Sequence, residues 1–308
     1  MKRRAKRVDL GRLSTEKSNA ASIDLDRKSS LQIARIINTE DARIAAVVAR
    51  QLPQIALAID CIADALSNGG RLIYVGTGTS GRIAALDAAE CPPTFNTAPK
   101  MVQFIIAGGS RALAEAIEAS EDSRKLGRQA IARKKPGSND VVVGVAASGR
   151  TPFTIAAIEY ARSRGAQTVA VTCNRNSPLE KAAHIAIVAE VGPEVVAGST
   201  RMKAGTAQKM ILNMLTTGAM TRLGYVYGNL MVNLHLKNEK LAERGIGILE
   251  QAAELNRAEA RKLLKSARNN VPVALVMAKA GVSRAQAAAA LKKSAGHVRK
   301  AIALAEVT

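Results

Sequence analysis

Between residues 71 and 188 the chain repeats one pattern: a short apolar run, a loop of glycine and hydroxyl residues, then a longer stretch with helical periodicity. The apolar runs fall at 71–75, 102–107, 140–145, 167–172 and 184–188. Runs of this length without polar alternation predict strands covered on both faces, as in a parallel sheet. Strands that alternate with helices place those helices on the two faces of one sheet. The pattern therefore predicts an α/β fold, a three-layer α/β/α sandwich, with helices at about 80–89, 111–132, 151–164, 177–183 and 200–223.

The flanks differ. Residues 1–20 are polar, with too few apolar positions to order on their own. Helical spacing begins at 29–37 and resumes at 41–67, where Ile44, Val47, Val48, Leu52, Ile55, Ile59 and Ile62 recur at intervals of three or four. Pro53 is expected to interrupt or kink that helix, and Asn68-Gly-Gly70 to stop it. Beyond about residue 238 the chain is rich in Ala and Lys and helical, and 272–280, 283–293 and 296–305 predict a compact three-helix module. Ser283 is its expected N-cap, with Gly281 and Gly296 as breaks. The expected organisation is a basic tail over 1–20, an α/β domain with its N-terminal helices over 21–237, and a small helical, UBA-like module over 238–308.

Composition removes several function classes. Aromatic residues are 2% and Trp is absent, so a core drawn from the 47% hydrophobic residues must be mostly Ala, Val, Ile, Leu and Met. No run approaches the roughly 18 apolar residues of a membrane helix, and the basic start lacks the apolar stretch of a signal peptide, so a cytoplasmic protein is expected. Cys61, Cys91 and Cys173, like His184, His235 and His297, are scattered without metal-ligand spacing, so neither a disulfide framework nor a zinc site is predicted. The net charge of +20 raises the question of nucleic acid. Past the tail, however, Lys and Arg are dispersed and aromatic residues for base stacking are nearly missing. The charge is read as a solvated basic surface that also attracts anionic substrates.

Two loops carry the chemistry. Gly76-Thr-Gly-Thr-Ser-Gly81 follows a predicted strand and opens a helix, where backbone N–H groups and the helix dipole suit an anion. The same spacing fits the dinucleotide fingerprint, which needs a carboxylate about 20 residues on, at the end of the second strand. That strand ends in Ala107-Gly-Gly-Ser110 and offers none. Ala146-Ala-Ser-Gly-Arg-Thr-Pro152 again joins a strand to a helix. Together, Thr79, Ser80, Ser148, Gly149 and Thr151 supply hydroxyl and N–H donors that can wrap a phosphate. Gly198-Ser-Thr-Arg-Met-Lys-Ala-Gly-Thr206 adds Arg201 and Lys203, either as cationic contacts to a sugar phosphate or as solvated residues of a capped helix; it lacks the ending of a nucleotide P-loop. Glu90 is expected at the end of the helix that opens on the first loop and Glu121 on the next helix, and periodicity alone reads each as a surface residue.

The loops at 76–82 and 147–151 resemble those of sugar isomerase (SIS) domains, a family of phosphosugar binders. Asp87-Ala-Ala-Glu-Cys-Pro-Pro-Thr94, Glu121-Asp-Ser-Arg124, Ser199-Thr-Arg-Met-Lys-Ala-Gly-Thr-Ala-Gln-Lys209, Gly228-Asn-Leu-Met-Val232 and Gly11-Arg-Leu-Ser-Thr-Glu16 resemble the N-acetylmuramic acid 6-phosphate etherase family almost end to end. Residues 1–8 fall outside the likeness, and 233–237 depart from the family's usual charged stretch. The resemblance implies a SIS-type sandwich and cleavage of the D-lactyl ether of a phosphorylated amino sugar. It implies no metal or organic cofactor, and a homodimer with its site between subunits. By matching motifs it makes Glu90 the proton donor and Glu121 the second acid/base residue. The phosphate contacts it implies are Ser80, Ser148 and Thr151 first, with Thr79 and Gly149 in support and Lys203 last. The rivals are a non-catalytic phosphosugar sensor, an aldose–ketose isomerase sharing the phosphate loops, and a nucleic-acid binder acting through the basic surface.

Overall fold

The computed structural model describes residues 14–234, 236 and 239–307. The basic start, residues 11–13 of the Gly11–Glu16 motif, and His235 and Lys237 lie outside them. Its packing divides into two compact units, Met1–Ala88 with Lys100–Leu215, and Ala89–Pro99 with Thr216–Thr308.

In the first unit, β1 (Leu72–Gly76), β2 (Val102–Ile106), β3 (Val141–Val145), β4 (Gln167–Thr172) and β5 (Ile185–Val188) form a parallel sheet in the order β2-β1-β3-β4-β5. Every residue of β1 and β3 is buried, as the unbroken apolar runs require. Ile73, Val75, Ile105 and Val142 share one core cluster with Ile131 of α5 (Arg124–Arg133), Phe153, Ile155 and Ile158 of α6 (Pro152–Ser163), and Leu179 of α7 (Pro178–Ala182). Gly144 keeps this layer close, since a Cβ there would stand 2.7 Å from the Ile158 side chain. Helix α3 (Leu52–Ser67) contacts β1, β3 and β5 and buries Ile55, Ala58, Ile62 and Leu66. Within the core, Tyr74 donates to Asp87 at 2.9 Å, and Asn213 donates to the other oxygen of the same carboxylate at 2.8 Å. The predicted α/β sandwich is thus the observed architecture.

Two predicted helices are reshaped. The stretch 41–67 is broken, with α1 (Ser30–Asp41) and α2 (Ile44–Ala49) preceding α3. Pro53 then falls in the first turn of α3, where its missing N–H has no partner to lose. The helix expected over 111–132 is a 3-10 turn at Gly109–Leu113 followed by a loop, and α5 starts only after its cap Ser123. Arg82 pins this loop, its guanidinium donating to the carbonyls of Leu113 at 3.3 Å and Glu115 at 2.7 Å. Among the described residues no single helix is long and apolar enough to cross a membrane, although Ser30–Ala49 and Leu52–Ser67, bent by 63°, pass that test as a pair by length and composition.

The second unit holds the β6 (Val226–Tyr227) and β7 (Leu230–Met231) hairpin, which the sequence did not predict, and helices α9 (Glu239–Ala253), α10 (Arg257–Ser266), α11 (Val271–Ala280), α12 (Arg284–Lys293) and α13 (Val298–Glu306). Ser283 caps α12 in a full capping box, and Gly281 ends α11 in the left-handed region. Its core joins Leu249, Leu264, Val271, Leu275 and Val298, and Asn233 donates to the Phe95 carbonyl at 2.8 Å.

At the entry edge of the sheet, the buried Asp140 carboxylate accepts from the Arg71 backbone at 2.9 Å, the Arg71 guanidinium at 3.0 and 2.6 Å, and the Gly137 N–H at 3.0 Å. Burial works to raise its pKa, but these bonds and the guanidinium charge outweigh it and hold the carboxyl below the ordinary aspartate value. A group depressed in the folded state stabilises above its unfolded pKa of about 4 and loses that contribution as the pH falls through the lower folded value. Asp140→Ala is expected to cost about 2–3 kcal/mol in urea unfolding at pH 7, with the gap from wild type narrowing below about pH 4.

Candidate active site

The strand order reverses between β1 and β3, and in open α/β sheets ligands bind beyond the carboxyl ends of the strands at such a switch point. Both candidate loops leave the sheet there. From β1 the chain passes through Thr77 into α4 (Gly78–Phe95), with Gly78 at φ +48°. Thr79 and Ser80 stand half-buried in the first turn of α4, where backbone N–H groups have no intrahelical acceptor.

From β3 the chain turns through Ala146–Arg150, and Arg150 donates its N–H to the Ser148 hydroxyl at 3.2 Å. Gly149 is buried at φ +64°, and a Cβ there would lie 2.4 Å from the Ser177 hydroxyl oxygen and 2.6 Å from that of Thr172. Its carbonyl accepts from Leu179, so α7 and the strand end fix the turn from behind. Thr151 is the N-cap of α6, yet its side chain makes no capping bond. The loop thus presents a second helix start beside the first.

Glu121 joins these loops. Its carbonyl accepts the Phe153 N–H at 3.0 Å, at the start of α6, and its carboxylate packs over Gly78, where an added Cβ would lie 3.3 Å from Oε1. Burial raises the Glu121 pKa most, the Thr77 hydrogen bond opposes it, and the nearby Glu118 and Asp122 raise it further against the charge of Arg82. The net direction is upward. The structure thus holds a carboxyl group of raised pKa beside two helix starts whose first-turn N–H groups lack intrahelical acceptors.

Two further sequence candidates are carried by helices. Glu90 is exposed on α4, within the second unit. Lys203 opens α8 (Lys203–Arg222) but is 3% exposed, and its ammonium lies 2.5 Å from Glu40. That placement corrects the expectation of a solvated or phosphate-directed cation. Several supporting residues had no sequence signal. Glu194, fully buried, accepts the N–H groups of Lys203 and Ala204, both at 2.9 Å, and caps α8 from nine residues away. Asn174 accepts the N–H and hydroxyl of Ser14 and donates to the Ala147 carbonyl at 3.0 Å, which draws the N-terminal segment to the end of β3. Among the described residues no group of three or more His, Cys, Asp or Glu side chains is arranged to hold a metal ion.

Known proteins match this architecture along most of its length. The family model of the glucokinase regulatory protein N-terminal SIS domain matches residues 54–162, and the SIS domain model matches residues 136–218. N-acetylmuramic acid 6-phosphate etherase of Clostridium beijerinckii is 48% identical over 96% of this chain and 97% of its own. The etherase of Aeromonas hydrophila is 48% identical over 94% of this chain and 98% of its own. A phosphoheptose isomerase structure from Francisella tularensis covers 62% of this chain and 100% of its own, with a TM-score of 0.47 and 18% identity. On the two full-length likenesses, this chain belongs to the N-acetylmuramic acid 6-phosphate etherase family.

Proposed function

We propose that the chain cleaves the D-lactyl ether of N-acetylmuramic acid 6-phosphate, releasing N-acetylglucosamine 6-phosphate and D-lactate. The likeness to etherases over nearly the whole of both chains carries the reading. The placement of Glu121 across the two loop ends supports it.

The phosphate is assigned to the first turns of α4 and α6, with Thr79, Ser80, Ser148, Gly149 and Thr151 as donors. Lys203 is left out because its ammonium is committed to Glu40. In the open-chain sugar the C1 aldehyde acidifies the C2 hydrogen, and the ether oxygen sits on C3, one bond further on. Glu121 takes the C2 proton as the C3–O bond breaks, and Glu90 protonates the departing lactyl oxygen. A C2=C3 double bond conjugated to the aldehyde results. Glu90 then activates a water that adds its oxygen to C3, and a proton returns to C2. The net change is addition of one water across the ether.

The reading places the enzyme in the cytoplasm, as a homodimer in the catabolism or recycling of cell-wall amino sugars. It assigns phosphosugar binding to residues 21–237 and treats 238–308 as an appended helical module. The sensor alternative is set aside, since the relatives matched over their full length are etherases.

Purified, chelator-treated protein given N-acetylmuramic acid 6-phosphate is expected to release D-lactate, and an absence of release with retained phosphosugar binding would return the sensor. Glu90→Gln and Glu121→Gln are each expected to lower kcat by about 100- to 10,000-fold while N-acetylglucosamine 6-phosphate still binds. Full turnover in either variant would remove that residue from the mechanism. Because a base works only when ionised and the Glu121 pKa is raised, the acid limb of kcat/KM is expected to have its midpoint above the ordinary glutamate value of about 4.3. Gly149→Ala, forced into a left-handed turn against Ser177, is expected to weaken N-acetylglucosamine 6-phosphate binding about tenfold or more in calorimetry.

A further inference from the structure

We propose that Lys203 is a positioning residue: its ion pair with Glu40 sets the first turn of α8 against the phosphate loop, so affinity for the sugar phosphate depends on a charge pair that does not touch it. The inference rests on the phosphosugar reading above and concerns the same site.

The pair is sealed, with side chains 4% and 5% exposed and 2.5 Å between the ammonium and the carboxylate. A buried charge that loses its partner is strongly unfavourable, so each side chain holds the other in place. Glu40 sits near the end of α1 and is itself anchored, accepting from Asn19 at 2.9 Å and pairing with Arg43 at 2.9 Å. The Asn19 amide also donates to the Pro193 carbonyl at 3.1 Å, and Ser22 donates to the Val195 carbonyl at 2.7 Å, so the N-terminal segment and the approach to α8 are tied together. From the other side, Glu194 holds the backbone N–H groups of Lys203 and Ala204. Lys203 is therefore fixed at both ends, its backbone by Glu194 and its ammonium by Glu40.

Two residues further along α8, Gly205 lies against the site. A Cβ added there would meet Thr79 Cγ2 at 3.6 Å and Ile83 Cδ1 at 3.5 Å. These are ordinary contact distances, so the start of α8 forms a wall directly behind the first turn of α4. A shift in the Lys203 anchor passes to Thr79 through this contact, and a preorganised donor set loses affinity when its backing moves.

The test uses the full chain and compares Glu40→Gln, Lys203→Met and the double variant. It measures thermal midpoint by circular dichroism, Kd for N-acetylglucosamine 6-phosphate by calorimetry, and kcat and KM for lactate release. Each single change is expected to raise Kd and KM about tenfold with kcat nearly unchanged, and the double variant to be no worse than the worse single one, because both remove one interaction. Wild-type affinity in Glu40→Gln beside a large loss in Lys203→Met would overturn the proposal in favour of a direct phosphate contact. Wild-type affinity in both, with only a lowered thermal midpoint, would reduce the pair to a stabilising role and also overturn it. Should a single variant fail to fold, Asn19→Ala removes the Asn19 bonds to Glu40 and to the Pro193 carbonyl while leaving both members of the ion pair in place. It is expected to weaken binding by a few-fold, and an unchanged Kd there counts against the proposal. If the wild type binds the sugar phosphate without releasing lactate, the etherase reading falls and the Kd comparison still decides the positioning role. If the wild type binds no sugar phosphate, both fall.

Discussion

Parallel pairing of β1 with both β2 and β3 is the constraint from which the rest of the first unit follows. A central strand paired on both sides sends the chain out at one edge and back in at the other, so every strand ends toward the same side. The reversal of order between β1 and β3 then leaves a crevice that neither neighbouring connection crosses. Helices α4 and α6 must begin at that crevice, and their unsatisfied N–H groups point into it. At the opposite edge, Asp140 joins the starts of β1 and β3 through Arg71, which sets the register on which the geometry of the crevice depends. Binding end and anchoring end are therefore separated by the length of one strand.

How much of this was legible in the sequence depended on whether the cause was local. The strands were, because 71–75, 102–107 and 140–145 are apolar without alternation and bounded by loop residues. The placement of the two glycine- and hydroxyl-rich loops between a strand and a helix was, because their residues follow apolar runs directly. Helix α5 starts later than its periodicity suggests, and the loop before it is held by Arg82, a side chain about 30 residues away in the sequence. Lys203 was misjudged for the same reason: its partner Glu40 stands in another helix, and nothing near Lys203 marks it as buried. That Glu121 lies over Gly78 is likewise a product of the fold. The resemblance singled out the residue, while its own periodicity suggested only a surface position.

Charge is distributed unevenly between inside and outside. Glu40, Asp87, Asp140 and Glu194 are all buried in the first unit, whereas Lys203 is the one buried Lys or Arg among the described residues. Drawing acidic side chains inward leaves the surface more cationic than the net charge of +20 conveys. A phosphorylated sugar approaching such a surface is attracted before it meets any specific donor. The basic balance thus fits a small anionic substrate without any need for nucleic acid.

The hydrogen bond between Tyr74 and Asp87 has an optical consequence. The chain has no Trp and four Tyr, so its near-ultraviolet signal comes chiefly from phenol rings, with its three Phe contributing little. Two of those rings, Tyr74 and Tyr160, belong to the first unit and two, Tyr225 and Tyr227, to the second. Tyr74 is fully buried and held by a carboxylate, the fixed asymmetric setting that gives a phenol a strong circular dichroism band and that vanishes when specific packing is lost. The molecule therefore carries, in the middle of its binding sheet, a native chromophore that reports the packing of that sheet without any label.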